Sequence, residues 1–361
     1  MAADLISFAR GAPSLDIINV EGLKAAAERA FERDPGGATA YGTSIGYVPL
    51  RAWVAEKHGV APEQVLVTNG SMQADAFLFD ELVDPDSPVI VERPTYDRTL
   101  LGLRTRHGQL HPIGVDDDGL DTAELRALLE TGVRPVLAHI IPNFHNPAGV
   151  TLSAGRRTEL LALADDYGFT IFEDDPYRDV RFAGQPLPTM QSVSDKVIYA
   201  SSFSKIICPG IRVGYLIGPA ELIGRIAKRA TNTYISPNMV SQAIAYEFCV
   251  SGALDTSIKT VQVALAERSA RLADELRREI PDARFTQPEG GYFLWLDLPA
   301  DVDVAKLVPA AAERGVAVVA GADFLLTGGE HSVRLAYSAV TPEQITEGVR
   351  RLAAAIAAVR G

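Results

Sequence analysis

Cysteine is scarce in this chain: Cys208 and Cys249 are the only two among 361 residues. Two thiols give no disulfide framework and no metal-ligand spacing, so a reducing, cytoplasmic setting is expected and no metal site is. Long hydrophobic runs are absent as well, and nothing reaches the roughly 18–20 residues of a membrane span. The opening, Met1-Ala2-Ala3-Asp4-Leu5-Ile6-Ser7, carries an acid where an export signal has basic residues, so secretion is not expected. Basic charge is also short. A net charge of -12 argues against a nucleic-acid backbone or an anionic membrane as partner. There is no internal repeat and no low-complexity segment. What remains is 47% hydrophobic and 22% charged, the composition of a globular protein with room for one large and one smaller domain.

From residue 65 onward, short apolar or β-branched runs alternate with helical patterns. The runs lie at 65–67, 88–91, 136–141, 169–172, 197–200 and 213–217. Helical patterns fall at 72–82, 122–131, 155–167 and 220–230; Leu125, Leu128 and Leu129 share one face of the second. This alternation predicts an α/β fold with a mostly parallel sheet covered on both faces, and ligands gathered at the strands' carboxyl ends. After residue 240 the pattern changes. A stripe of Leu265, Leu272, Leu276 and Ile280 precedes runs at 293–296, 316–319 and 333–336, with a helix between the first two and a last helix from Pro342. That reads as a smaller α+β domain. The first 40 residues show one helix, 22–31, and no convincing strand. The expected division is 1–40 packing with the small domain, 41–240 as the large domain, and 241–361 as the small one.

Lys205 stands in Ser201-Ser202-Phe203-Ser204-Lys205, directly after the run at 197–200, with Arg212 seven positions on. An amine that must form an imine with an aldehyde needs such a place. The strand end fixes it, the hydroxyls and Arg212 can hold a phosphate, and desolvation favours the neutral amine. A surface lysine in a serine-rich turn is the alternative. Gly70-Ser71 follows the run at 65–67 and opens a helix, offering backbone N–H groups to a phosphate, or simply capping the helix.

Glu173-Asp174-Asp175-Pro176-Tyr177 closes another run with three carboxylates, which need a cation nearby. A protonated pyridine nitrogen would serve; a metal or a solvated acidic turn are the alternatives, and no histidines cluster in sequence to favour the metal. Asn146, before Pro147, is held extended and aimed, or else belongs to an ordinary Asn-Pro turn; His145 beside it is expected to be a bystander. Arg334 alternates with apolar residues on a strand, so it points inward to grip a carboxylate or to form a structural ion pair.

Taken together, these pieces resemble the fold-type I, class I/II aminotransferases that use pyridoxal 5′-phosphate. The chain is most similar to the branch of aminoadipate/kynurenine-type enzymes and of the effector domains of MocR-type regulators. The resemblance runs through the segments 6–13, 41–51, 70–71, 93–96, 146–149, 173–177, 202–205, 290–295 and 333–335. It implies a large domain with a seven-stranded, mostly parallel sheet and a smaller α+β domain. It implies Lys205 as the Schiff-base lysine and proton shuttle, Asp174 on the pyridine nitrogen, Asn146 and Tyr177 on the ring oxygen, and Tyr96 stacked on the ring. Ser71, Met72, Ser202, Ser204 and Arg212 match the phosphate site. Tyr41 matches a residue that reaches the neighbouring subunit's phosphate, which implies a homodimer. Arg334 matches the arginine for the substrate α-carboxylate, Asn146 lies between ring and substrate, and Gly11 matches a glycine against the substrate.

The implied activity moves an amino group between an L-amino acid and a 2-oxo acid in two half-reactions. Elimination, decarboxylation and oxygen-dependent oxidation share the same ring-binding set, and a non-catalytic ligand sensor is a further alternative. A DNA-binding regulator is not expected, because the match begins by residue 6 and the chain is acidic. Three positions depart from the family's habit: Arg10 and Met72 stand where Gly and Gln are frequent, and Tyr292 where Met is. Arg10 is expected to project toward the substrate entrance and Tyr292 to lie beside substrate side chains, so substrate preference does not carry over.

Overall fold

Three short strands, Val65–Thr68, Leu137–Ile140 and Gly214–Ile217, are buried at every position. Runs this apolar have no wet face, so they belong inside a sheet covered on both sides. The computed structural model, which describes residues 5–360, builds that sheet from eight strands. In spatial order they are Val65–Thr68, Gly214–Ile217, Ile198–Ser202, Thr170–Asp174, Leu137–Ile140, Pro88–Arg93, Gln109–Asp116 and Gly119–Leu120. Neighbours run parallel from Ile198–Ser202 through Gln109–Asp116. Gly214–Ile217 is antiparallel to both of its neighbours. The expected seven strands become eight because the two-residue Gly119–Leu120 folds back antiparallel on Gln109–Asp116.

The helices Ser71–Leu82, Thr122–Glu130, Ala154–Tyr167 and Ala220–Tyr234 stand where the periodicity placed them. Their ends follow local chemistry. The Asp121 carboxylate accepts from the N–H groups of Ala123 and Glu124, the Ser153 hydroxyl accepts from Arg156, and Gly168, at φ 76°, ends the third helix.

Beyond this sheet, Phe293–Asp297, Ser332–Ala336 and Val319–Ala320 form a three-stranded antiparallel sheet. The helices Ala253–Glu279, Val304–Glu313 and Pro342–Val359 accompany it. The single run expected at 316–319 is two strands: Val316–Ala317 pairs in parallel with Ile6–Ser7, and Val319–Ala320 pairs with Ser332–Ala336. Residues 5–40 therefore hold a strand that their composition did not announce. They also hold the helix Val20–Arg33, which packs on Met239–Val250, where buried Glu247 lies 3.4 Å from Arg29 and 3.3 Å from Arg33. Of the opening 1–7 that carries the expectation of no secretion, residues 1–4 lie outside the described residues. No helix among the described residues is long and apolar enough to cross a membrane.

Candidate active site

The carboxyl ends of Thr170–Asp174 and Ile198–Ser202 lie side by side, with Asp174 opposite Ala200. Beyond them opens a cavity of about 160 Å3 lined by Ser71, Met72, Tyr96, Asn146, Asp174, Tyr177, Ser202, Ser204, Lys205 and Arg212, together with Ile141, Pro176 and Pro209. Ten residues singled out in the sequence thus meet at one place. Ile141, Pro176 and Pro209 carry no reactive group and gave no signal.

Lys205 closes a 3-10 turn, Phe203–Lys205, whose cap is the Ser202 hydroxyl accepting from the Ser204 N–H at 3.2 Å. Its Nζ donates to the Gly11 carbonyl at 2.9 Å and lies 5.4 Å and 5.1 Å from the ring centres of Tyr177 and Tyr292. The Tyr292 hydroxyl donates to the Lys205 backbone carbonyl at 2.8 Å. Burial pulls the amine down to about 8; Arg334 and Arg212 push the same way and Asp174 opposes them. A buried nucleophile close to neutrality is what imine formation needs.

One end of the cavity is a set of free donors. The helix Ser71–Leu82 starts at Gly70 with no side-chain cap, so its first N–H groups and its dipole face outward. Gly70 has φ 77°, and a Cβ there would come within 2.5 Å of Arg212 Nη2. The positive φ favours glycine, and a Cβ would push the guanidinium away from the helix start. Arg212 itself reaches the Asn69 carbonyl at 3.2 Å and Ser204 Oγ at 3.5 Å. Backbone donors, three serine hydroxyls and a guanidinium fit a phosphate.

At the other end the three carboxylates separate. Glu173 accepts from the N–H groups of Met190 and Gln191, and Asp175 is held through both oxygens by the Asn143 amide at 2.9 Å. Only Asp174 lines the cavity, as the alternation of a strand requires. It is 4% exposed, its Oδ2 lies 3.7 Å from His139 Nε2, and its Oδ1 is buried without a hydrogen-bond partner. An orphaned carboxylate oxygen fits a protonated ring nitrogen. Asp75 and His139 complete the patch behind Asp174: one carboxylate oxygen of each Asp and one ring nitrogen of His139 lie within 4.8 Å of one another. Both residues escaped the sequence reading. They sit on interior faces of a helix and a strand, where only the fold brings them together.

Asn146 accepts from Arg334 Nη1 at 3.0 Å through its Oδ1, and Arg334 Nη2 donates to the Ala9 carbonyl at 2.8 Å. Arg334 is 7% exposed and clamped between the rings of Phe293 and Phe324, at 4.4 Å and 4.6 Å. Among the described residues it has no carboxylate partner, and its Nε has no partner at all. The structural ion pair left open by the sequence is not there. Gly11 packs tightly on Phe293: a Cβ there would come 2.3 Å from Phe293 Cζ, so any larger residue would force the ring to move. Tyr96 reaches Met72 Sδ with its hydroxyl at 3.6 Å, and burial pushes that phenol up to about 12. His145 is buried 3.0 Å from Glu92 and does not line the cavity.

Two residues stand apart. Tyr41 is 86% exposed in a separate surface depression with Ser236, Pro237 and Val240. Arg10 is exposed, although the residues on either side of it supply the carbonyls that hold Arg334 and Lys205.

A mixed α/β fold with a lysine, an aspartate oxygen lacking a partner and a cluster of donors suited to phosphate in one cavity fits a pyridoxal-phosphate enzyme. The chain belongs to the aminotransferase class I and II family, whose model matches residues 3–352. It is 32% identical to aromatic-amino-acid aminotransferase 1 of Thermococcus litoralis over 98% of this chain and 88% of that one. It is 33% identical to the 2-aminoadipate transaminase of Thermus thermophilus over 98% and 90%. A solved structure of α-aminoadipate aminotransferase from Thermus thermophilus, bound to N-(5′-phosphopyridoxyl)-L-leucine, superimposes with a TM-score of 0.94 at 32% identity, over 98% of this chain and 92% of that one. An HTH-type transcriptional regulator of Bacillus subtilis, YisV, is also similar, at 28% identity over 97% of this chain and 73% of its own length. The protein is an aminotransferase, and its cofactor is pyridoxal phosphate.

Proposed function

We propose that this aminotransferase exchanges an amino group between an L-amino acid and a 2-oxo acid at the Lys205 cavity. The observation that carries the reading is the placement of the Lys205 amine and the partnerless Asp174 carboxylate in one cavity with a phosphate-shaped end. Ser71, Met72, Ser202, Ser204 and Arg212 would hold the phosphate, Asp174 the ring nitrogen, Asn146 and Tyr177 the ring oxygen, and Tyr96 the ring face. Pyridoxal phosphate supplies an electron sink when its ring nitrogen is held protonated. Lys205 supplies the base that takes the proton from the amino acid's Cα and returns it, its amine poised near neutrality by burial. Arg334 grips the α-carboxylate, Gly11 leaves room beside it, and Arg10 and Tyr292 border the side-chain end.

We read residues 41–240 as the cofactor domain and 241–361, with 1–40, as the small domain. Tyr41, too exposed to serve its own cavity, reaches the phosphate of a second subunit in a homodimer. The two cysteines are unpaired, in keeping with the cytoplasm. A panel of amino donors against 2-oxoglutarate and pyruvate tests the reading. Spectra of the holoenzyme should change with a donor and be restored by an oxo acid; a spectrum that no oxo acid restores would sink simple transamination.

A further inference from the structure

Asp75 lies on the inner face of the helix Ser71–Leu82, 5% exposed, with its Oδ1 buried and without a partner. Among the described residues no ion pair reaches it. The titratable groups facing it are Asp174, His139 and Tyr96, which precedes the helix Asp97–Arg104. Each is an anion or a neutral group unless His139 gains a proton. Two carboxylates this close, away from water and without a cation, do not both ionise. One of them keeps a proton, and Asp174 is the one that lines the cavity, where a cationic ring nitrogen would stabilise its charge.

We infer that Asp75 is a positioning residue of the ring-nitrogen site: it stands behind Asp174 as a neutral carboxylic acid and leaves Asp174 the single anion of the patch. Burial and the Asp174 charge both raise its pKa well above the ordinary carboxylate value. The hydroxyl of the acid form gives a donor to a patch in which one oxygen of each carboxylate and one His139 ring nitrogen lie within 4.8 Å of one another. Asp174 then meets the ring with a charge that no second anion disperses. The role in catalysis rests on the proposed function; the proton itself is a property of the cofactor-free chain.

Infrared difference spectra of cofactor-free protein at neutral pH, wild type against Asp75→Asn, test the proton directly. A carboxylic-acid carbonyl band should vanish in the variant. Asp75→Leu should lose the same band, which guards against a misfolded Asn variant and against Asp175, another buried acid whose value is raised. Denaturation across pH gives a second reading. The folded state holds a proton that the unfolded chain releases near pH 4, so wild-type stability falls relative to Asp75→Asn as pH rises from there, by up to tenfold in the folding equilibrium per pH unit. A spectrum with no band assignable to Asp75, or a stability difference independent of pH, would overturn the inference. So would stoichiometric zinc in the purified wild type that Asp75→Asn fails to retain. A protein that takes up no pyridoxal phosphate would instead defeat the reading of the cavity, and the carbonyl band would still decide the proton.

Discussion

Arg334 Nη1 donates to Asn146 Oδ1 at 3.0 Å, which joins the residue proposed for the substrate carboxylate and the one proposed for the cofactor ring into one unit. A guanidinium has only donors, so it fixes which end of the amide it meets, and Asn146 Nδ2 is left as the donor for the cavity. Arg334→Gln should lower kcat/KM for amino acids roughly ten- to hundredfold, the size of a lost charged hydrogen bond of about 1.5–3 kcal/mol. The corresponding amines, which lack the carboxylate, should lose far less. Steady-state kinetics with both substrates decide it.

If the two residues act as a unit, Asn146→Ala and Arg334→Gln should not be additive. A double-mutant cycle on kcat/KM should return a coupling of about 0.5–3 kcal/mol. A coupling of zero would separate the two sites.

The Lys205 amine predicts a pH dependence. With its value pulled from 10.5 to about 8, the cofactor-free protein should take up pyridoxal phosphate at a rate that rises with pH and levels above about 8. The same shift has a stability consequence. The fold disfavours the charged form, so the unfolded chain binds the extra proton between about 8 and 10.5. Wild-type stability should therefore rise against Lys205→Met as pH climbs through that window. Stopped-flow uptake and pH-dependent denaturation measure the two effects.

Gly11→Ala places a Cβ 2.3 Å from Phe293 Cζ, and the Phe293 ring is one of the two that clamp Arg334. Overpacking of this kind costs about 1–3 kcal/mol of stability. It should also raise KM for carboxylate substrates by tilting the clamp. Urea denaturation together with kinetics would show both changes.

Much of this was legible in the sequence. The strand ends carrying Lys205 and Asp174, and the glycine before Ser71, announced themselves as apolar runs ending in polar turns. The strand Gln109–Asp116 did not, because Pro112 and Gly114 interrupt its pattern and most of its positions are only partly buried. The two-residue strand Ile6–Ser7 is too short to carry a period at all, and the run expected at 316–319 gave no sign that it would split between two sheets. Asp75 and His139 escaped for a different reason. A single acid in a helix and a single histidine in a strand look like satisfied core residues until the fold sets them beside Asp174. The split fate of Glu173, Asp174 and Asp175 was likewise invisible, since it depends on Asn143 and on the backbone of 190–191 arriving from elsewhere.

The most direct measurement is chemical trapping. The holoenzyme, reduced with borohydride and digested, should yield a pyridoxyl group bonded to Lys205 and to no other lysine. A label on another lysine, or a protein that carries none after reduction, would contradict the account.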